Sequence, residues 1–492
     1  MSYKELKSGT DIRGVASDLG GKAVNLTDEA VYDITSAFAL WLAQRNGVAT
    51  EELTIAVGHD SRISASRISA AVIKALGDRG VQVLDCGLAS TPAMFMTTVD
   101  LNTWGAVQIT ASHHPFDRNG LKFFTREGGL ESGQLSEIVD IADKGDFPTC
   151  DGATCKQVDY MKQYAAGLRS MICKAVGKSE TEKPLSGYHI VVDAGNGVGG
   201  FYATDVLAPL GADVSGSRYL EPDGMFPGHI PNPEDKVAMQ SITDAVKESG
   251  ADFGIIFDTD VDRAGCVDST GEEINRNRLI ALAAIIATQG RRGATIVTDS
   301  VTSDGLKTFI EDELGCKHYR YRRGYKNVID KAVELCEQGI DCPLAIETSG
   351  HAALKENYFL DDGAYLITKI IIELGRGRDI NKSIAALKCP AEEFECRFNI
   401  TVENFKTYGL RVIDELDAYV ASKPETFTVA DDNREGIRVS VKDGWFLLRL
   451  SVHDPVMPLN FESDRVGGIE EMKALIRPFF EGFDGLDISS LK

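Results

Sequence analysis

The sequence predicts an α/β protein: three similar α/β domains with mixed, mainly parallel sheets, followed by a C-terminal α+β domain. Two observations carry this. A short Val/Ile-rich strand, a turn containing Gly or Asp, and an amphipathic helix follow one another in three successive segments. Beyond residue 390 that alternation gives way to strand-like stretches without a helix between each pair. A chain of 492 residues is also too long to fold around one hydrophobic core.

In the first segment, residues 53–57 read as a strand, Gly58-His59-Asp60 as a turn, 65–76 as a helix and 81–84 as the next strand. In the second, the strand 189–192 runs into Asp193-Ala-Gly-Asn-Gly, with a helix-like stretch behind it. In the third, the strand 295–298 meets Asp299-Ser300 and then a helix over 305–313. Strands that alternate with helices place their sites at the strand carboxyl ends. In the last part, 394–400, 427–430, 437–441 and 445–450 read as strands. Boundaries near 178–185, 289–293 and 388–390 divide the chain into 1–180, 181–288, 289–389 and 390–492.

The formal net charge of −22 argues against a nucleic acid or an anionic membrane as partner. It also means that an anionic ligand needs a local cluster of Arg and Lys. Ten scattered cysteines without a Cys-x-x-Cys pair read as reduced thiols rather than a zinc site or a disulfide framework. The N-terminus is polar, unlike a secretory signal, and the longest strongly apolar run, 279–287, is too short for a membrane span. These features lead us to expect a cytoplasmic protein.

Five stretches carry chemistry. In the first, the apolar strand 106–109 enters a loop holding Ser112, His113 and His114, with Lys122 ten residues beyond Ser112. A nucleophilic serine needs a nearby base and a group that stabilises an anion, and these residues supply both. No Gly-x-Ser-x-Gly surrounds Ser112, so a hydrolase elbow is disfavoured. In the second, an apolar strand ends in Asp258-Thr-Asp260-Val-Asp262-Arg263. In an extended stretch alternate residues project the same way, so three carboxylates converge on one hard cation and leave places for a phosphoryl oxygen, which suits Mg²⁺. The third, Glu347-Thr-Ser349-Gly-His351, forms a polar fork for hydroxyl groups. The fourth is basic and contains Arg320, Arg322, Arg323 and Lys326. The fifth combines Arg434 and Arg438 with Arg449, Ser451 and His453, an arginine-and-hydroxyl set suited to clamping phosphate. Together they supply a nucleophile, a cation site, a hydroxyl fork and two anion clamps, as phosphoryl transfer on a sugar phosphate requires.

At these residues the sequence resembles the α-D-phosphohexomutase superfamily over essentially its whole length. Thr110-Ala-Ser-His-His-Pro115 with Asn119-Gly-Leu-Lys122 is similar to the family's phosphoserine loop, 258–263 to its magnesium loop and 347–351 to its sugar-recognition loop. Ser8-Gly-Thr-Asp-Ile-Arg13-Gly, Val57-Gly-His-Asp-Ser-Arg62 and the stretch 221–233 match further landmarks. The resemblance implies four domains around a central active-site cleft. It also implies a phosphoserine at Ser112, with Mg²⁺ held by that phosphate and by Asp258, Asp260 and Asp262. A hexose 1,6-bisphosphate would serve as intermediate and activator. Lys122 and His113 would handle protons, Arg263 and Arg13 would support the phosphoserine, and Glu347 and Ser349 would grip sugar hydroxyls with His351 beside them. The implied substrates are mannose or glucose phosphates, acted on by a monomer or homodimer. Alternatives are a phosphoglucosamine mutase, a sugar-bisphosphate synthase of the same family, and a non-catalytic phosphosugar-binding protein.

The chain departs from the family pattern at three places. His114 stands where Asn is usual, and Val261 where the residue is often small. The family's usual Arg-Pro-Ser-Gly-Thr-Glu-Pro, with a later Arg, reads here Arg449-Leu-Ser-Val-His453-Asp-Pro455-Val-Met-Pro458. Either Arg434, Arg438 and Lys326 compensate, or phosphate is gripped differently.

Overall fold

The computed structural model describes residues 2–451 and 454–491, which divide into two compact units. One unit comprises Met1–Asn275, Ser349–Ala353 and Leu360–Ile380; the other comprises Arg276–Thr348, Leu354–Phe359 and Asn381–Lys492.

The first unit holds two sheets. Across the larger one run Lys7–Ser8, Asp11–Val15, Arg118–Thr125, Gly105–Ile109, Thr54–His59, Gln82–Leu88 and Thr154–Gln157, in that order. The pairings from Gly105–Ile109 through Thr154–Gln157 are parallel and the others antiparallel. Gly105–Ile109 is buried at every position, as suits a mainly apolar strand covered on both faces, and its one polar side chain, Gln108, donates to the Ala89 carbonyl at 2.8 Å. Helix Asp28–Asn46 starts at Thr27, whose side chain accepts the Ala30 amide, and stops at Gly47 in the left-handed conformation. It buries Ile34, Phe38 and Leu42 against Val72, Leu76 and Phe123 in the main core.

The second sheet has the order Glu273–Ile274, Ala264–Asp268, Phe253–Phe257, Ile190–Asp193. Only Ile190–Asp193 and Phe253–Phe257 pair in parallel; Phe253–Phe257 and Ala264–Asp268 form an antiparallel hairpin. Its loop, 258–263, carries the three aspartates. The expected extended stretch is therefore a tight turn, with Val261 at φ 67° in the left-handed region that a β-branched residue avoids. The turn is held by the Gly363 amide, which donates to the Val261 carbonyl at 3.1 Å. A Cβ on Gly363 would come 2.7 Å from the Arg263 carbonyl carbon, so helix Gly363–Gly375 can meet the turn only through a glycine.

In the second unit, Thr295–Asp299 pairs in parallel with both Lys317–Tyr321 and Leu344–Ile346. The expected helix over 305–313 is a short α-helix, Asp304–Thr308, that widens into a π-turn, Phe309–Glu313. The last sheet is antiparallel, in the order Thr428–Val429, Ile437–Val441, Gly444–Leu448, Val456–Ser463, Glu392–Ile400, Leu486–Asp487. A helix, Phe405–Ala421, does separate its first two strands in the chain. It buries Val412 and Leu416 in a core with Phe398, Phe446 and Phe480. The expected strand 445–450 ends at Leu448, which leaves Arg449 in the following loop.

Candidate active site

The serine loop is built by a buried ion pair. Asp60 follows the strand Thr54–His59, and its Oδ2 accepts the Thr110 hydroxyl at 2.8 Å. Thr110 Oγ1 in turn accepts the Ser112 amide at 2.9 Å. Arg62, with its Nε 3.2 Å from Asp60, turns its guanidinium to four carbonyls of the loop. Nη2 donates to Ser112 O and to His114 O (2.6 Å), and Nη1 to Pro115 O (2.7 Å) and Arg118 O (2.9 Å). Held this way, Ser112 adopts φ 50°, which turns its side chain out of the direction of the strand before it.

The aspartate turn meets that side chain. Ser112 Oγ donates to Asp258 Oδ2 (3.1 Å), accepts from Arg263 Nη2 (3.0 Å) and lies 3.3 Å from His113 Nδ1. Arg263 Nη2 also donates to His113 Nδ1 at 2.5 Å, and its Nε to Asp258 Oδ2 at 3.2 Å. Burial, then the charge of Arg263, push His113 down to about 2, so its ring is neutral and accepts. Lys122 Nζ donates to Asp262 Oδ2 at 2.9 Å. Thr91 donates its hydroxyl to Asp260 Oδ2. His351 pairs with Asp361 and stands 3.8 Å from Asp262; burial pulls it down, but the two carboxylates raise it to about 9, so it carries a charge at neutral pH. Arg13 pairs with Asp11 at 2.9 Å and adds positive potential at His113 and His114.

Asp258, Asp260 and Asp262 are all buried, each with one oxygen within 4.8 Å of the others. Asp260 Oδ1 and Asp262 Oδ1 have no hydrogen-bond donor. Burial and the neighbouring aspartates hold Asp258 well above the carboxylate range and push Asp260 up to about 6. Burial also opposes ionisation of Asp262, but Lys122, His351 and Arg263 outweigh it and bring its carboxyl down. Three converging carboxylates with two undonated oxygens fit a hard divalent cation, which would offset the burial and mutual repulsion that raise Asp258 and Asp260.

The remaining expected residues fall as follows. Ser349 is buried in the first unit with His351, whereas Glu347 belongs to the second. Glu347 Oε1 accepts the Gly324 amide at 2.5 Å. Lys326 pairs with Asp330 on its own helix. Arg434 lies over the Tyr319 ring, 4.0 Å from its centroid, and donates to Asp432 O at 3.2 Å. Arg449 Nε is buried without a hydrogen-bond partner. Ser451 Oγ accepts the Asp454 amide at 3.2 Å. His453 lies outside the described residues. The Arg438 guanidinium stacks on Trp445 at 3.5 Å and donates to Asp304 (2.9 Å) and Ser300 O (3.0 Å), a buried cation that fastens this unit together.

Residues 5–149, 159–271 and 275–388 match, in order, the phosphoglucomutase/phosphomannomutase α/β/α domains I, II and III. A phosphomannomutase/phosphoglucomutase of Pseudomonas aeruginosa is 31% identical over 476 residues, 96% of this chain and 95% of the relative. The chain belongs to the phosphoglucomutase/phosphomannomutase family. A phosphoglucomutase of Neisseria gonorrhoeae is 30% identical over 96% of this chain and 95% of its own length. A solved structure of a family protein from Burkholderia thailandensis superposes with a TM-score of 0.79 at 26% identity, covering 98% of both chains. As in that family, the chain carries three α/β domains with mixed sheets and a fourth sheet domain.

Within this family frame, three residues at the site went unassigned in the sequence. Arg62 and Asp60 were visible as a charged pair after a strand, a signal that marks a buried network. Thr91 gave none, because its bond to Asp260 joins residues 169 positions apart.

Proposed function

We propose that this chain is a phosphohexomutase that interconverts hexose 1-phosphate and hexose 6-phosphate, with mannose, glucose or both as the sugar. The observation that carries the reading is the meeting of Ser112 Oγ with Asp258 and Arg263 beside two further buried aspartates. A hydroxyl set against a guanidinium and a cation site is equipped to accept and return a phosphoryl group.

In this reading Ser112 rests as a phosphoserine. Its phosphoryl passes to the free hydroxyl of the bound hexose phosphate: the Oγ–P bond breaks, a sugar O–P bond forms, and the hydroxyl proton leaves. The hexose 1,6-bisphosphate so formed turns over and returns its other phosphate to Ser112 Oγ, and it also activates enzyme that has lost its phosphate. Asp258, Asp260 and Asp262 would hold Mg²⁺, which supplies neutralisation of the phosphoryl charge. Arg263 hydrogen-bonds Ser112 Oγ directly, and Arg13 adds positive potential. Lys122 and His113 handle the proton. Glu347, Ser349 and His351 take the sugar, while Arg323, Lys326, Arg434, Arg449, Ser451 and His453 take the phosphate that is not being transferred. We further propose a cytoplasmic monomer or homodimer with domains at 1–180, 181–288, 289–389 and 390–492. Among the described residues no helix is long and apolar enough to cross a membrane.

The test is a coupled assay over glucose, mannose, glucosamine and N-acetylglucosamine 1-phosphates with Mg²⁺ and the matching bisphosphate. Turnover of the glucose or mannose compound above the amino sugars supports the reading. Absence of turnover with all four would sink it.

A further inference from the structure

One carboxylate in the second unit stands on donors that suit a phosphate. Glu435, in the loop ahead of the strand Ile437–Val441, accepts the Ser300 hydroxyl and the Arg323 amide (3.1 Å) on the same oxygen, Oε2. The next amide, Gly324, is the N-cap of helix Tyr325–Glu337 and donates to Glu347. Two successive amides at the start of a thirteen-residue helix thus each hold a carboxylate. Backbone amides, a hydroxyl and a helix N-terminus are the donors that phosphate oxygens take.

A second observation ties Glu435 to the phosphate side. Gly436 has φ 54°, and a Cβ there would strike the Leu448 carbonyl oxygen and come 2.8 Å from Arg449 Cα. The loop carrying Glu435 therefore lies directly against Arg449, and only a glycine allows it. Burial and the charge of Arg323 bear down on the Arg449 guanidinium, and Glu435 supports it as a counter-ion.

We propose that Glu435 is a built-in anion that occupies the phosphate donors of Ser300 and Arg323 beside Arg449, and that a substrate phosphate must displace it. The proposal rests on the reading that this unit receives the phosphate that is not being transferred. A phosphate near neutral pH brings up to two charges and three acceptor oxygens where Glu435 offers one charge and one shared oxygen, so it wins the exchange. An uncharged sugar does not. Glu435 thus sets the selectivity for phosphorylated over unphosphorylated ligands by competition. It is a specificity residue and touches no reacting atom.

The experiment titrates inorganic phosphate into the full chain by calorimetry, without added divalent cation, for the parent and Glu435→Gln. The same two proteins are then assayed for kcat and KM with glucose 1-phosphate. Removing the competing charge while keeping the side-chain shape tightens phosphate binding roughly tenfold and lowers KM by a similar factor, with kcat little changed. Unchanged or weaker phosphate binding by the variant overturns the proposal. If Glu435→Gln does not fold, Glu435→Asp, which keeps the charge but withdraws it, gives a smaller tightening, and its failure to tighten overturns the proposal equally. A parent that binds phosphate but turns over no hexose phosphate defeats the mutase reading alone, because the binding ratio still decides the role of Glu435.

Discussion

Replacing Arg62 by lysine keeps a cation beside Asp60 and removes the fork that holds the serine loop. The guanidinium donates to the carbonyls of Ser112, His114, Pro115 and Arg118 from two nitrogens. A single ammonium cannot span that set, so two of the four buried or part-buried carbonyls lose their donor, at about 1–2 kcal/mol each. Ser112 then has less to hold it at φ 50°, a conformation that costs a non-glycine residue about 1–2 kcal/mol. Relaxation moves Oγ away from Asp258 and Arg263. We expect Arg62→Lys to lose about 2–4 kcal/mol in urea unfolding and about 100-fold in kcat, the penalty of a misplaced reacting group, with KM nearly unchanged. Arg62→Met should lose more stability, about 3–5 kcal/mol, because Asp60 is left buried and unpaired. Urea titration by tryptophan fluorescence and the coupled assay read the two effects separately. A Lys variant within twofold of the parent kcat would refute the reasoning, because the loop would then hold itself.

Two further predictions concern buried carboxylates. Asp260→Asn keeps the bond from Thr91 and removes a charge that burial and Asp262 resist. The protein should remain folded, lose Mg²⁺-dependent activity and lose any rise of its melting temperature on adding Mg²⁺; a variant that still responds to Mg²⁺ as the parent does would remove Asp260 from the cation site. Glu462 is buried, and burial lifts its carboxyl from 4.5 to about 7 against the opposing charge of Arg438. Its folded value exceeds its unfolded one, so the stability it contributes is full below pH 4.5 and is lost as the pH rises through about 7. That rise is equivalent to about 3 kcal/mol. Glu462→Gln should accordingly gain up to about that much stability over the parent at pH 8 and little at pH 4.5, as measured by urea unfolding at both. A gain equal at both pH values would contradict the assignment.

The strands and helices that position the site were readable because they are strongly patterned: Gly105–Ile109 and Phe253–Phe257 are buried at every position and show in the sequence as mainly apolar runs, with Gln108 the one polar residue between them. The convergence of Asp258, Asp260 and Asp262 was also readable, but for an incomplete reason. Alternation in an extended chain suggested it, whereas a hairpin turn with left-handed Val261 produces it. Two apolar runs flanking an Asp-rich turn would have signalled the hairpin. Arg438 shows a different limit. Its burial depends on Trp445, and that contact exists only once the register pairing Ser440 with Trp445 is set. A basic residue in sequence looks alike whether it faces a ligand or an indole ring. Arg62 is legible as the partner of Asp60, but its grip on the serine loop is not, because the four carbonyls it holds belong to no sequence motif.

The central claim is that Ser112 carries the phosphoryl group. Intact-protein mass spectrometry, with peptide mapping before and after adding hexose phosphate and Mg²⁺, tests it most directly. The account predicts a species heavier by one phosphoryl group, mapping to Ser112 and lost to substrate when hexose phosphate is added. Incubation with hexose 1,6-bisphosphate that leaves Ser112 unmodified in a protein that still interconverts hexose phosphates would contradict it.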